Sequence, residues 1–129
     1  MSFSVDLPMP PSVNHSYTVR TFKPKGGSGE ATPRRGRGLS EGYKRWRDGA
    51  GLILAAAYNR AGRPKIEAPW GWEIRLNLDR NSDVSNYVKA IEDLLVKAKV
   101  TPGDNWMDDG RVVRDRTVQF ARVTVFTLP

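Results

Sequence analysis

Two groups of acidic residues and one lysine have the residue types and spacing of a metal-dependent phosphodiesterase site. Asp83 stands at the predicted start of a helix, Lys89 lies on the same helix, and Asp108 and Asp109 follow about twenty residues later. Carboxylate oxygens are ligands that Mg²⁺ prefers, and a nearby lysine can neutralise a phosphate. The simpler interpretation is that Asp83 only caps a helix and that Asp108-Asp109-Gly110 is only a turn.

A predicted helix from about Val84 to Lys99 must position this lysine. Its apolar residues form one broad stripe, which has to be buried. Side chains on a helix lean toward its N-terminus, so we expect the ammonium of Lys89 to point back at the acidic turn before it. The alternative is an exposed lysine paired with Glu92 or Asp93.

The composition limits what could bind a metal. At 129 residues and 39% hydrophobic, the chain fits one compact domain. It has no cysteine and a single histidine, so any metal must be held mostly by oxygen. No run of about 18 apolar residues and no signal-peptide pattern is present, which favours a cytoplasmic protein without a membrane partner. There is no glycine-rich nucleotide motif, so no nucleotide cofactor is expected.

The positive charge predicts a polyanionic partner. The formal charge is +7 and the pI is near 10.1, and nine basic residues against three acids lie between Arg20 and Asp48. Neutralising phosphates releases condensed counterions and drives binding to nucleic acid. Residues 23–38 combine glycine, proline and like charge, which predicts a mobile basic loop that closes over DNA or, alternatively, a solvated linker. The predicted DNA-binding residues are Arg34, Arg35 and Arg37 in this loop and Lys44, Arg45 and Arg47 in the helix after it.

The remaining elements follow from periodicity. Gly49 and Gly51 within the first helix predict close packing against the sheet or a partner subunit. Aromatic residues in the strand after Pro69 are interpreted as packing residues.

The predicted elements are a strand at Phe3 to Val5, a strand within His15 to Phe22, a helix from Glu41 to Arg60 capped by Ser40, a strand from Trp70 to Leu78, and one long strand from Val112 to Phe126 or two separated near Arg116.

Four motifs, in this order, resemble those of the RusA family of Holliday-junction resolvases, which occurs in phages, prophages and bacteria. The match covers most of the chain, and four motifs in order are more specific than any one. The resemblance implies an α+β fold in a single domain over residues 1–129, with a small mixed β-sheet and two principal helices packed on it. The motifs are Leu7-Pro8-Met9-Pro10-Pro11-Ser12 with Asn14 and Tyr17, Ser40-Glu41-Gly42 with Trp46-Arg47, Asp83-Val84-Ser85-Asn86 with Lys89, and Trp106-Met107-Asp108-Asp109 with Val112-Val113.

The resemblance also implies an activity. It is that of a homodimeric endodeoxyribonuclease that uses Mg²⁺, with Mn²⁺ able to substitute, and resolves four-way DNA junctions by paired symmetric nicks. By position, Asp83 and Asp109 would be catalytic metal-binding acids, and Lys89 would be the essential lysine. Asn86 and Asn14 would be supporting residues.

The chain departs from the family pattern at Ser85, where the second acid of the third motif is expected. A hydroxyl is a weaker, uncharged ligand, but Mg²⁺ accepts few carboxylates and keeps several waters, so two acids and a substrate phosphate could suffice. A further oxygen could come from Asp79, Asp104 or Asp108. Two alternatives therefore stay open beside the resolvase. One is a basic DNA-binding module of the same fold with weak or no cleavage, and the other is a nuclease for branched or flap DNA, or for RNA.

Overall fold

The computed structural model of the protein describes residues 1–12, 17–22, 34–79, 83–102 and 107–129. Within this part of the chain, neither α-helix is both long and apolar enough to cross a membrane. The elements in chain order are β1 (Ser2–Leu7), β2 (Tyr17–Phe22), β3 (Arg34–Leu39), α1 (Glu41–Arg60), β4 (Trp70–Leu76), a 3₁₀ turn (Val84–Tyr87), α2 (Val88–Lys97), β5 (Met107–Arg114) and β6 (Ala121–Thr127).

The main sheet is mixed and has the strand order β1-β6-β4-β5. β4 pairs antiparallel with β6 and parallel with β5, and β1 pairs antiparallel with β6. β2 and β3 form a separate two-stranded antiparallel ribbon. The predicted class, a single-domain α+β protein with a small mixed sheet and two principal helices, is confirmed.

The core is built around β4. Trp70, Trp72, Ile74 and Leu76 are 2%, 5%, 0% and 0% exposed, so the tryptophans are core residues, as the alternating pattern predicted. The same core cluster includes Leu54 of α1 and several residues of α2 and β6. Because parallel strands need a crossover connection, the 3₁₀ turn and α2 carry the chain from the end of β4 to the start of β5.

The first helix has the predicted bounds and cap. The Ser40 hydroxyl accepts a hydrogen bond from the Tyr43 N–H at 3.1 Å. Trp46 Nε1 donates to the Pro8 carbonyl at 2.9 Å, which ties the proline-rich segment to the helix. A Cβ at Gly51 would meet Leu94 of α2 at 3.8 Å, so this close neighbour is a helix and not the sheet. Apart from the helix's own backbone and the adjoining residues, no atom in the described structure lies within 4 Å of a Cβ added at Gly49, so Gly49 does not pack closely on the sheet. Packing of Gly49 against a partner subunit stays a prediction.

Two predictions about the acidic motifs were wrong in detail. The segment Asp108-Asp109-Gly110 lies in β5 and not in a turn, because its backbone pairs with β4. The predicted helix of Val84 to Lys99 begins as a 3₁₀ turn, in which the Asn86 N–H donates to the Asp83 carbonyl at 3.1 Å, and the α-helix ends at Lys97. Side-chain periodicity does not distinguish these backbone hydrogen-bond patterns over a few residues.

The basic loop and the C-terminal strand also differ from the simplest expectation. Residues 34–38 of the predicted loop lie in β3, which pairs with β2, and residues 23–33 are outside the described residues. The pairing supplies backbone hydrogen bonds that composition alone does not predict. At the C-terminus the two-strand alternative is confirmed, since β5 and β6 are separated by residues 115–120.

Gly71 of β4 lies in close contact with the backbone of β5. A Cβ at this position would collide with the carbonyl oxygen of Asp109, and would lie 3.1 Å from both Asp109 Cβ and the Phe126 ring. The pairing shifts register between Trp70 and Gly71 at the same point. The absence of a side chain at Gly71 therefore allows the backbone of Asp109 to take its position.

We expect Gly71→Ala to lower the free energy of unfolding by about 1–3 kcal/mol, the usual cost of an added methyl group in a packed site. Gly49→Ala is the matched control and should raise stability by up to about 1 kcal/mol, because alanine is the better helix former and space is open there. Urea unfolding of both variants measures this. Equal stability of Gly71→Ala and the parent chain would contradict the close approach.

Candidate functional site

Asp83 lies immediately before the 3₁₀ turn, where the crossover from β4 to β5 begins. Its Oδ1 accepts hydrogen bonds from the Ser85 hydroxyl at 2.7 Å and from the Ser85 N–H at 3.0 Å. These bonds, chiefly the hydroxyl, and the nearby Arg114 guanidinium lower the pKa of the exposed Asp83 carboxyl. Asp83 is therefore a carboxylate at neutral pH. Asp83 also caps the turn, as the simpler interpretation predicted. Capping is compatible with the predicted role of Asp83 as a metal ligand.

Ser85 occupies the position at which the family resemblance expects an acid. Its side chain is exposed and its hydroxyl proton is donated to Asp83. The 3₁₀ turn, Val84-Ser85-Asn86-Tyr87, thus contributes no carboxylate of its own, and Asp83 is the acid at its start. The predicted role of Ser85 as a metal-facing oxygen stays a prediction.

The two acids on β5 differ in what they contact. Asp108 Oδ2 accepts a hydrogen bond from the Trp70 N–H at 3.2 Å, beside the register shift, so this carboxylate serves the strand pairing. Asp109 pairs by register with Gly71, and its side chain is exposed. Both residues are exposed, and the carboxylate that the backbone of β4 engages is that of Asp108.

Asp83 and Asp109 lie toward different ends of β5. Asp83 is near Arg114, the last residue of β5, and the 3₁₀ turn packs against this strand. Asp109 and Arg114 are five residues apart on the strand, a Cα separation of roughly 16 Å at strand spacing. Among the described residues, no three acid or histidine side chains lie close enough to hold one metal ion. Asp104, another predicted oxygen donor, is outside those residues, and Asp79 is exposed.

The donor types nevertheless fit magnesium. Asp83 and Asp109 are exposed carboxylates, and Asp83 is held in its charged form. Mg²⁺ is usually bound through one or two carboxylates, with water and substrate phosphate completing its shell. The described residues therefore supply suitable ligands, without a three-acid cluster.

Lys89 adopts the alternative arrangement. Its Nζ is 3.7 Å from Asp93 Oδ2, one turn further along α2, and does not point back toward Asp83 as the direction of helical side chains predicted. Both side chains are well exposed, at 61% and 42%. An exposed pair at this spacing is worth about 0.3–0.5 kcal/mol, so a phosphate could displace it.

The predicted DNA-binding residues of α1 are partly engaged with acids of the same helix. Lys44 Nζ lies 3.5 Å from Glu41, and Arg47 Nε lies 3.6 Å from Asp48. Arg45 is exposed.

The other predicted binding and supporting residues are placed mainly by the backbone. Arg34, Arg35 and Arg37 lie in β3, where they pair by register with residues of β2. Asn86 supports the turn through its backbone N–H, whereas Asn14 lies outside the described residues.

Sequence reasoning missed two charged residues near the carboxyl end of β5. The motifs do not include Arg114, yet its charge lowers the pKa of Asp83. The pKa of Asp115 is lowered to about 2, first by the Thr117 hydroxyl and N–H and then by Arg75. The Asp-x-Thr spacing is a turn signal visible in the sequence, whereas the contact with Arg75 at 2.9 Å is not.

No protein-family model matches the chain, and no curated protein matches it. The resemblance to the RusA family therefore stays a prediction from the four motifs. Function has to be inferred from the acids, the cations and their placement.

We expect Ser85→Ala to raise the pKa of Asp83 toward its ordinary value, because the hydroxyl is the largest cause of the lowering. Titration of the Asp83 side-chain carbon by NMR measures the change. Asp6, whose pKa is lowered by Arg122 on the other side of the sheet, is the internal control and should not move. An unchanged Asp83 would contradict the hydrogen bond from Ser85.

Proposed function

We propose that the protein is a magnesium-dependent endonuclease of the RusA type, which binds four-way DNA junctions and resolves them by paired symmetric nicks. The observation that carries the proposal is the pair of exposed acids at the two limits of one crossover: Asp83, kept ionised, and Asp109. The excess positive charge of the chain and the four ordered motifs support a DNA substrate.

In this proposal Asp83 and Asp109, which lie toward different ends of β5, would each hold a Mg²⁺ ion, with water and substrate phosphate completing its shell. An ion held there would supply Lewis-acid activation of water and stabilisation of the charge that develops on the phosphate. The charged state of Asp83 suits a ligand and excludes it as a proton donor near neutral pH. Lys89 leaves its weak pair with Asp93 and neutralises a phosphate oxygen. Arg114, whose charge lowers the pKa of Asp83, adds positive charge at this end of β5.

We further propose that the protein acts as a homodimer through the outer face of α1. Leu52 and Ile53 are 75% and 43% exposed, and residues 49–57 contain no charged or polar side chain. A surface helix ordinarily has a polar outer face, so an apolar one favours a covered surface. A second copy is the simplest cover, because a two-fold axis would present two equivalent sites for two symmetric cuts.

Cleavage is tested on a synthetic four-way junction and a linear duplex, with Mg²⁺ or EDTA. We expect paired nicks in the junction only, and a loss of at least about 100-fold in Asp109→Asn, since a metal supplies several kcal/mol of transition-state stabilisation. Asp6→Asn, which removes an exposed acid on the far edge of the sheet, should retain the activity. Binding without cleavage under any divalent ion would contradict the nuclease.

The second candidate is a DNA-binding module of the same fold with weak or no cleavage. It is favoured by the Ser85 hydroxyl that bonds to Asp83 and by the lack of a three-acid group in the described residues. The same assay on Ser85→Asp separates the two. An acid at position 85 should maintain or raise cleavage if this position faces the metal, and complete loss in a folded variant would place it elsewhere.

The dimer is tested by Leu52→Glu. A charge at the centre of the apolar face should convert a dimer to a monomer while the fold persists, since Leu52 is already exposed in the single chain. Sedimentation velocity and circular dichroism measure the two properties. Asn59→Glu, at the end of the same helix, is the control and should remain dimeric. A parent chain that sediments as a monomer at all concentrations would contradict the proposal.

A further inference from the structure

The carboxyl ends of the two helices bring together a group of exposed cations that the motifs do not include. We propose that this group, the helix-end patch, binds the phosphate backbone of a duplex arm of the DNA. The inference rests on the proposed function in taking DNA as the ligand, but it does not depend on cleavage. The helix-end patch consists of Arg60, Arg63, Lys65, Lys97 and Lys99.

A shallow cleft lies among three members of this patch. It has a volume of about 380 Å³, and its lining includes Lys65, Lys99 and Tyr58. The Arg63 guanidinium lies 5.9 Å from the centre of the Tyr58 ring, so it borders the same cleft. Cations from the segment after α1 and from the residue after the cap of α2 therefore border one depression.

The helix-end patch ends at Lys97. This residue also lines a second cleft of about 300 Å³ between the helices. That cleft contains Leu52 and Ala55 of α1, so it belongs to the apolar face proposed for the dimer and not to the patch.

The charges of the patch are available to a ligand. All five side chains belong to exposed residues. Lys65 Nζ is 3.5 Å from Glu67, and these two side chains are 85% and 64% exposed. An ion pair in water at this exposure is weak, so a phosphate can replace the carboxylate.

The backbone at two of these cations is one that glycine would adopt at lower cost. Arg63 and Lys99 have φ values of 53° and 58°. Lys99 directly follows the cap of α2, and the Val100 N–H donates to the Leu95 carbonyl at 3.0 Å, the arrangement in which helices most often use glycine. The dipole of the helix does favour a cation near its carboxyl end. If these cations act in folding, replacement by glycine should lower the stability of the protein. If they act in binding, it should weaken DNA binding and leave the stability equal or higher.

The placement also fits a duplex beside the acidic site. Helix α2 has ten residues and is about 15 Å long, with the 3₁₀ turn and Lys89 at its start and Lys97 at its end. That length is roughly half a helical turn of B-DNA. A duplex arm along α2 can therefore contact the patch while its backbone reaches the acids.

The test measures binding of a labelled four-way junction in EDTA, by fluorescence anisotropy over a range of salt concentrations. We expect Lys99→Gly to bind several-fold more weakly and to lower the slope of log affinity against log salt by about 1, the value for one lost phosphate contact. Its melting temperature should stay equal or rise, because glycine suits the backbone. The double variant with Lys99→Gly and Arg63→Gly should lower the slope further. The single variant Lys99→Arg, which keeps the charge, should bind with the affinity of the parent chain.

The possible outcomes separate the helix-end patch from the proposed nuclease. If the parent binds the junction and the glycine variants bind it with the same affinity and slope, the helix-end patch does not contact DNA. If the glycine variants lose both affinity and stability, the cations act in folding, and the inference is likewise overturned. A parent that binds no DNA overturns both proposals, whereas a parent that binds but never cleaves overturns only the nuclease.

Discussion

The burial of β4 is the constraint on which the rest of the structure depends. This strand pairs on one side with an antiparallel neighbour and on the other with a parallel one, and its alternate side chains are almost fully buried. A parallel partner cannot be reached by a tight turn, so the chain must cross over through the 3₁₀ turn and α2. Asp83 stands at the beginning of that crossover and Asp109 just beyond its end. The relation between the two acids is therefore set by hydrophobic packing, not by contact between them.

Local hydrogen bonds lower the pKa of two acids near β5. Asp83 is kept ionised by the turn that it caps, and Asp115 is kept ionised more strongly by the same kind of turn with Thr117. Asp115 also joins Arg75 and Glu73 in an ion-pair network on the sheet surface. A strongly lowered pKa is thus no mark of function by itself in this protein, because structural turns lower it as well. Asp83 and Asp109 are candidate ligands because of their exposure and their places in the predicted motifs.

Features governed by neighbours along the chain could be predicted from the sequence. The helix from Glu41 to Arg60 with its Ser40 cap and the strand from Trp70 follow from periodicity and capping. Pairing between distant segments could not be predicted: β3 forms because β2 pairs with it, and Asp108 and Asp109 lie in a strand because β4 is beside them. The spacing around Lys89 allowed both a phosphate and an acid as its partner, and the structure contains the acid. Of the candidate site, sequence could therefore name the residues, but not which acids lie near each other.

The position of β5 at the edge of the sheet has a further consequence. One side of β5 pairs with β4, and no other strand pairs with it in the part of the chain that the structure describes. An open edge of this kind is a template for strand addition by other molecules, and charged side chains oppose it. Arg111 and Arg114 are exposed on β5, and charges at these positions oppose strand addition whether or not a ligand is bound. Neutral variants of these arginines would therefore become prone to intermolecular β-sheet formation. Whether such a variant stays soluble and monodisperse is then as informative about the role of the arginines as its cleavage activity.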